Sequence, residues 1–305
     1  MKQHFTLFSK NLLRWYDTNK RTLPWRGESD PYRIWLSEIM LQQTQTERVK
    51  HYYFKWLKRF PSLKSVAKAK EESLLKVWEG LGYYNRCRNF HRAAKTVLKD
   101  YNGKIPKEFK LFKSLPGIGD YTASAVLSIA FDIPLPAIDG NIKRVMARML
   151  RIKIITKYNF RRIQKELEKF IDKTRPGDFN QALMDLGNQI CRPNQAHCYA
   201  CPMKSFCRAA QTDHPEKYPR PELSKDIPHY DVVVGLIWKK GRFLILKRDN
   251  RKHLGGLWEL PGGKIDYRES PEKALIREIK EECSVDVILG KNTEPIKHRY
   301  SHFSI

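Results

Sequence analysis

The run Leu115–Asp139, LPGIGDYTASAVLSIAFDIPLPAID, carries a pattern that could grip a phosphate and set a carboxylate beside it. Leu115, Gly117 and Gly119 belong to a short hairpin that leads straight into a helix, read from Tyr121 to about Ala130. Glycines two apart let the backbone adopt positive φ and bring its N–H groups close to a ligand. The helix behind adds the partial positive charge of its N-terminus, so a phosphate can be held without a cationic side chain. Asp139 follows the rigid run Pro134–Leu135–Pro136, and a further helix starts behind Gly140 and Asn141. The predicted arrangement is a backbone phosphate grip that fixes a carboxylate next to a nucleic-acid strand. An ordinary αα-hairpin with a glycine turn accounts for the same residues, because Gly-x-Gly alone is weak.

A second chemical signal is Cys191-x6-Cys198-x2-Cys201-x5-Cys207. Four thiolates in one short loop can enclose a metal centre and cross-link a segment too poor in apolar residues to fold alone. Such a set suits either a [4Fe–4S] cluster or zinc. Zinc ribbons usually pair two C-x2-C knuckles and only one is present, which points to the cluster. Cys87 and Cys283 stand alone and read as packing residues.

The charge balance names the partner class. Lys and Arg outnumber Asp and Glu 58 to 33 over 305 residues, a net charge of +25. Residues 226–305 hold 15 basic against 12 acidic side chains, which leaves 43 against 21 in residues 1–225. A lysine-rich proteome would load both parts alike. So uneven an excess, among many Tyr and Trp, implies a polyanion, with DNA or RNA ahead of a membrane. No apolar run approaches the ~18 residues of a membrane span, and Met1–Lys20 lacks a signal-peptide core. Cysteines crowded into one loop do not resemble a secreted disulfide framework, so a reducing compartment is expected.

The elements that must position these groups are helical over the first 190 residues. Helices are predicted at Phe5–Tyr16, Tyr32–Gln43, Glu47–Arg59, Lys70–Trp78, Asn85–Lys99, Asn141–Leu150, Asn159–Asp172 and Asn180–Gln189. Asp30–Pro31 supplies an N-cap followed by proline at the first helical position. Gly80–Arg86 (GLGYYNR) could present an aromatic wedge to stacked bases, or be a turn whose tyrosines cap the core. Residues 211–229, proline-rich and charged, read as a linker between residues 1–210 and residues 230–305. Beyond it, strands are predicted at Asp231–Trp238, Phe243–Lys247, Val285–Leu289 and Ile296–Ile305, with one helix at about Pro271–Cys283. The chain ends inside the last of these, so this domain is expected to be truncated.

SEIMLQQTQ (37–45), LPGIGDYTA (115–123), AIDGNIKRV (137–145) and the four-cysteine loop occur together, in order and at matching spacing. Jointly they resemble the helix–hairpin–helix DNA glycosylases with an iron–sulfur loop, and within them the adenine DNA glycosylase family. The resemblance is dense from Phe5 to Cys207 and looser beyond. It implies a mainly α region of two helical lobes with a DNA cleft between them and a [4Fe–4S] cluster on Cys191, Cys198, Cys201 and Cys207. The implied reaction is hydrolysis of the N-glycosidic bond of adenine mispaired with 8-oxoguanine or guanine in double-stranded DNA.

Carried over by motif, Glu38 is the general acid that protonates the adenine, and Asp139 stabilises positive charge on the sugar. Those residue types suit the task. One carboxyl must be protonated to help the base leave, while the other stays ionised beside an oxocarbenium-like sugar. Burial on an apolar helix raises the pKa of Glu38, and helix N-termini keep Asp139 ionised. The resemblance further places Tyr121 and Asn141 at the reaction site, Arg26 and Gln181 on the flipped adenine, and Gln43 and Tyr83 as gap-filler and wedge. Bifunctional relatives carry lysine where Tyr121 stands, and that amine forms a Schiff base with the sugar. Water is therefore the expected nucleophile.

Residues 230–305 resemble a Nudix-like α+β domain, with Gly263-x5-Glu269-x7-Arg277-Glu278 and Glu281-Glu282 following its box and Ser284 where glycine is usual. In the family this domain recognises 8-oxoguanine and its box is usually degraded. Tyr300, Ser301 and His302 match the recognition loop, with Tyr300 in place of phenylalanine. An alternative is a metal-dependent Nudix nucleotide pyrophosphohydrolase, alone or as a second activity, with Mg²⁺ at Glu278, Glu281 and Glu282 on one helix face. A third is a damage-binding module without catalysis, against which the Glu38 and Asp139 pair speaks. The expected protein is a monomer in a bacterial cytosol or nucleoid, with no membrane partner.

Overall fold

A computed structural model describes residues 2–220, 226–249, 255–300 and 303–305. The chain divides into two compact units, Met1–Pro221 and Glu222–Ile305. Among the described residues no helix is long and apolar enough to cross a membrane.

The first unit is helical: α1 (Lys2–Asn19), α2 (Pro31–Leu41), α3 (Thr46–Arg59), α4 (Leu63–Lys68), α5 (Glu71–Trp78), α6 (Asn85–Asp100), α7 (Phe109–Lys113), α8 (Asp120–Phe131), α9 (Gly140–Met149), α10 (Lys157–Phe170) and α11 (Pro176–Gln189). Two cores hold it. Trp35, Trp56, Trp78, Phe90 and Phe112 fill one, between α2 and α8 in the chain. Phe8, Leu12, Met146, Leu167 and Phe179 fill the other, which joins α1 to α9, α10 and α11. The two-lobed mainly α fold expected above is therefore present.

α8 is apolar on nearly every side, as a buried helix must be, and α11 is mostly buried as well. Thr122 through Ser128 are buried without a break. The two pass close to each other at Gly177, where a Cβ would lie 2.8 Å from the Ser128 carbonyl oxygen. Asn180 seals this crossing. Its amide donates to Ser128 Oγ (2.9 Å) and to the Leu135 carbonyl (2.8 Å), while its Oδ1 accepts the Ala137 N–H at 3.0 Å. The segment leading to Asp139 is thereby anchored to α11.

Asp30 caps α2 through the Tyr32 N–H, with Pro31 at the first position, as the sequence predicts. α4 and α7 went unread because six and five residues cannot display a helical period; a Ser62/Ser65 capping box secures α4. Residues 211–220, read as the start of a linker, pack on the helices instead. Ala196 N–H donates to Glu216 (2.8 Å), Arg148 to the Tyr218 carbonyl (2.9 Å), and Arg220 N–H to the Lys153 carbonyl (2.8 Å).

The second unit has six short strands where the sequence predicts four longer ones, and none of the six lies in residues 285–305. β1 (Val232–Val234) pairs with β6 (Gly262–Lys264), β2 (Trp238–Lys239) with β3 (Arg242–Phe243), and β4 (Leu246–Lys247) with β5 (Trp258–Glu259), all antiparallel. α12 (Pro271–Cys283) forms as predicted and buries Ala274 and Ile279. Residues 285–289 make no strand, and among the described residues of 296–305 Arg299 and Ser304 form single bridges. Apolar alternation drives a strand only when one face is covered. Here Ile288 and Ile296 are 100% and 86% exposed, so that pattern meets no opposing layer.

Candidate active site

A cleft of about 610 Å³ in the helical unit brings Glu38, Tyr121, Asp139, Asn141, Arg26 and Gln181 onto one wall system, with Gln43 at its edge. α2 positions Glu38. Its residues Ile34–Met40 are buried in sequence, so the carboxyl is carried inward with them. Tyr121 opens α8 and donates its hydroxyl to Glu38 Oε2 at 2.8 Å. Burial pushes the Glu38 carboxyl above the usual carboxylate range; the Tyr121 hydroxyl and Arg26 oppose this, and Asp139 adds to it. The Tyr121 phenol is driven well above its ordinary value, chiefly by burial, and stays a donor.

Asp139 is the N-cap of α9 and accepts from the Ile142 N–H (2.7 Å) and the Asn141 amide (2.9 Å). Burial raises its pKa as well. Those donors, the Asn141 N–H and Arg144 work against the burial. Asp139 therefore has several hydrogen-bond partners for its charge where Glu38 has the Tyr121 hydroxyl. Asn141 is held in turn. Arg144 donates to its Oδ1 (2.9 Å), to the Gly187 carbonyl (2.7 Å) and to the Cys191 carbonyl (2.9 Å), so the cap is tied to the cysteine loop.

Arg26 and Gln181, predicted to share a ligand, touch each other directly, the guanidinium donating to Gln181 Oε1. A second donor of Arg26 reaches Asp185 Oδ1 at 2.8 Å, and Tyr16 OH lies 3.1 Å from the first. Asp185 is wholly buried on α11 and also takes the Arg21 side chain at 2.8 Å. Sequence reading missed Asp185, Arg21 and Asn180. The available signal was an acidic residue set among Leu183, Met184 and Leu186 on an apolar helix.

Gln43 and Tyr83 lie on two turns and both adopt positive φ, +54° and +48°. Gln43 is exposed and Tyr83 is 41% exposed, whereas Tyr84 packs against the core. Of the paired tyrosines, one is thus exposed and the other lies against the core. In the hairpin, Leu115 is buried and Gly117 has φ +79° with Asn89 directly behind it. Gly119 departs from the expectation. It is extended, φ −96°, and caps α8, with open space where a side chain would be.

The four cysteines are free and half-buried in the loop after α11. Burial lifts the Cys201 thiol to about 12, with the other three thiols adding to the shift. Cys207 and Cys198 are raised for the same first reason. Backbone N–H groups of Met203, Ala209 and Ala210 point at these sulfurs, and Arg148 Nη1 lies 3.2 Å from Cys191 Sγ. Such donors suit a set of thiolates around an iron–sulfur centre. Among the described residues, no three His, Cys, Asp or Glu side chains converge as the ligands of one metal ion do.

That holds for Glu278, Glu281 and Glu282 too. Arg277 pairs with Glu278 (3.0 Å) and Glu281 (3.6 Å), and the Gly262 N–H donates to Glu282 at 3.2 Å. A cation already occupies the middle of the acidic face. Tyr300 stacks on Phe303 with ring centres 4.5 Å apart. Ser301 and His302 lie outside the described residues.

Residues 36–173 match the profile of the HhH-GPD superfamily of base excision DNA repair proteins, and residues 233–305 that of the NUDIX domain. The chain is 34% identical to the adenine DNA glycosylase of Buchnera aphidicola from Acyrthosiphon pisum, over 97% of this chain and 84% of that one. It is 32% identical to the mouse adenine DNA glycosylase, over 98% of this chain and 69% of the relative. With the rat enzyme the identity is 41%, over 68% of this chain and only 42% of the relative's length. A thermostable thymine-DNA glycosylase superposes with TM-score 0.63 at 29% identity, over 68% of this chain and 97% of that one. An endonuclease III–DNA covalent intermediate gives TM-score 0.58 at 22% identity, over 68% of this chain and 96% of that one, a likeness of fold.

Proposed function

The chain belongs to the adenine DNA glycosylase family, and on that premise we propose that it hydrolyses the N-glycosidic bond of adenine opposite 8-oxoguanine or guanine in duplex DNA. The observation that carries this reading is a buried and a half-buried carboxyl group with unequal hydrogen bonding on the walls of one cleft. Glu38, kept protonated by burial, gives its proton to the departing base while the Tyr121 hydroxyl holds its other oxygen in place. Asp139 ionises first and faces the cationic sugar, with the Ile142 N–H, Asn141 and Arg144 fixing its orientation. Water then completes the reaction at the sugar carbon, and the proton it releases leaves the cleft.

Arg26 and Gln181 offer a donor and an acceptor to the edge of the extruded base. Gln43 and Tyr83 enter the stack, and the backbone around Leu115, Gly117 and Gly119 takes a phosphate. Residues 230–305 read the opposite 8-oxoguanine, with Tyr300, Ser301 and His302 at the recognition loop. Cys191, Cys198, Cys201 and Cys207 hold a [4Fe–4S] cluster, which cross-links the segment following α11. The protein works as a monomer where the DNA is, in a bacterial cytosol or nucleoid.

The experiment is release of adenine from duplexes bearing it opposite 8-oxoguanine, guanine or thymine, with and without alkali. Release from the first two well above the third, and strand breaks only after alkali, support the reading. Equal release from all three, or strand breaks without alkali, would overturn it.

A further inference from the structure

One guanidinium joins the two turns that carry Gln43 and Tyr83. Arg86 Nη1 donates to the carbonyls of Ile39 (3.0 Å), Met40 (2.8 Å) and Gln42, the last turn of α2 and the residue after it. Its Nη2 reaches Thr44 Oγ1 (3.1 Å) on the same turn and the Gly82 carbonyl (3.2 Å) on the other. The guanidinium also lies over the Tyr83 ring, 5.2 Å from its centre, and over Trp78, 5.5 Å away. It touches the residues on both sides of Gln43 and the residue before Tyr83. Both probes stand in left-handed backbone conformations that side chains adopt only when their surroundings impose them.

We infer that Arg86 is a positioning residue that locks the Gln43 and Tyr83 turns into one two-pronged unit, so that the prongs enter the duplex together. This rests on the proposal that both side chains enter the base stack. A helix C-terminus leaves carbonyls that an arginine can satisfy for stability alone. Capping of that kind, however, needs no bond to an acceptor on the Tyr83 turn, which Arg86 makes to the Gly82 carbonyl. The planar fork of arginine spans two acceptor sets, whereas a lysine ammonium is a point charge that satisfies one. Burial lowers the Arg86 pKa only to about 10, so the fork remains charged at neutral pH.

The test uses the full chain and a duplex carrying 2′-fluoro-2′-deoxyadenosine opposite 8-oxoguanine, with 2-aminopurine as its neighbour. This duplex reports extrusion by fluorescence without being cleaved. Gln43→Ala, Tyr83→Ala and the double variant are compared in the presence of Arg86 and of Arg86→Lys. With Arg86 present, each single change slows extrusion about tenfold and the double change costs hardly more, a non-additive pair. Arg86→Lys alone slows extrusion about tenfold with duplex affinity and melting temperature near wild type, and in its presence the two changes become additive.

Additive effects in the Arg86 protein, or wild-type extrusion by Arg86→Lys, would overturn the inference. If Arg86→Lys does not fold, the cycle in the Arg86 protein decides alone. Fluorescence absent on binding by the unmodified chain would remove the underlying reading instead.

Discussion

The Tyr121 hydroxyl donates to Glu38 Oε2 across 2.8 Å, joining the first turn of α8 to the centre of α2. Glu38 is buried and Tyr121 half-buried, and the hydroxyl is a hydrogen bond that favours the Glu38 charge. Burial raises the Glu38 pKa against this bond, and the nearby Asp139 charge adds to the rise.

Removing the Glu38 charge should stabilise the fold at high pH. A carboxyl whose folded pKa is raised binds its proton more tightly folded than unfolded. Its contribution is complete below the unfolded value of ~4.3 and is lost as pH rises through the folded value. Glu38→Gln is therefore expected to equal wild type in urea stability near pH 4 and to exceed it at pH 8. A constant difference across that range would contradict the burial cost assigned to Glu38.

The pH profile of base release should be bell-shaped, with its acidic limb set by Asp139 and its basic limb by Glu38. Asn141→Ala takes one donor from the Asp139 carboxylate and leaves burial in place. The acidic limb should move to higher pH while the basic limb stays. Single-turnover rates between pH 4 and 9 check this, and an unmoved acidic limb would contradict it.

Asp185 is predicted to stabilise the fold as well as the base-binding edge. Asp185→Asn leaves Arg21 and Arg26 facing a neutral amide inside the protein. Breaking a buried pair in this way costs about 3 kcal/mol. Urea unfolding measures the loss, and a change under about 1 kcal/mol would mean that water already screens the cluster.

Duplex binding should weaken steeply with salt. The excess of 43 basic over 21 acidic side chains lies in residues 1–225. Neutralising about six phosphates predicts a roughly 10³-fold loss between ~50 and ~200 mM salt. Fluorescence anisotropy across that range checks the slope, and a flat one would contradict the electrostatic account.

Much of the helical unit was legible because its signals are local. Asp30–Pro31 marks the start of α2, and Asp139 with Gly140 marks that of α9. The chemistry at Glu38 needed the joint motif, since nothing near it in sequence reports on Tyr121. What stayed hidden depends on contacts remote in the chain. Arg21 meets Asp185 across 164 positions, and Arg86 bridges turns whose joint is invisible in either. The strands predicted at 285–289 and 296–305 failed for the opposite reason. Their local pattern is β-like, yet a strand is fixed by a neighbour, and Ile288 and Ile296 lie exposed.

The most direct measurement compares single-turnover adenine release from an A:8-oxoguanine duplex by wild type and Glu38→Gln, with duplex affinity measured in parallel. A rate lower by roughly 10²-fold or more at nearly unchanged affinity is the predicted result for loss of a general acid. Release by Glu38→Gln at the wild-type rate would contradict the account at its centre.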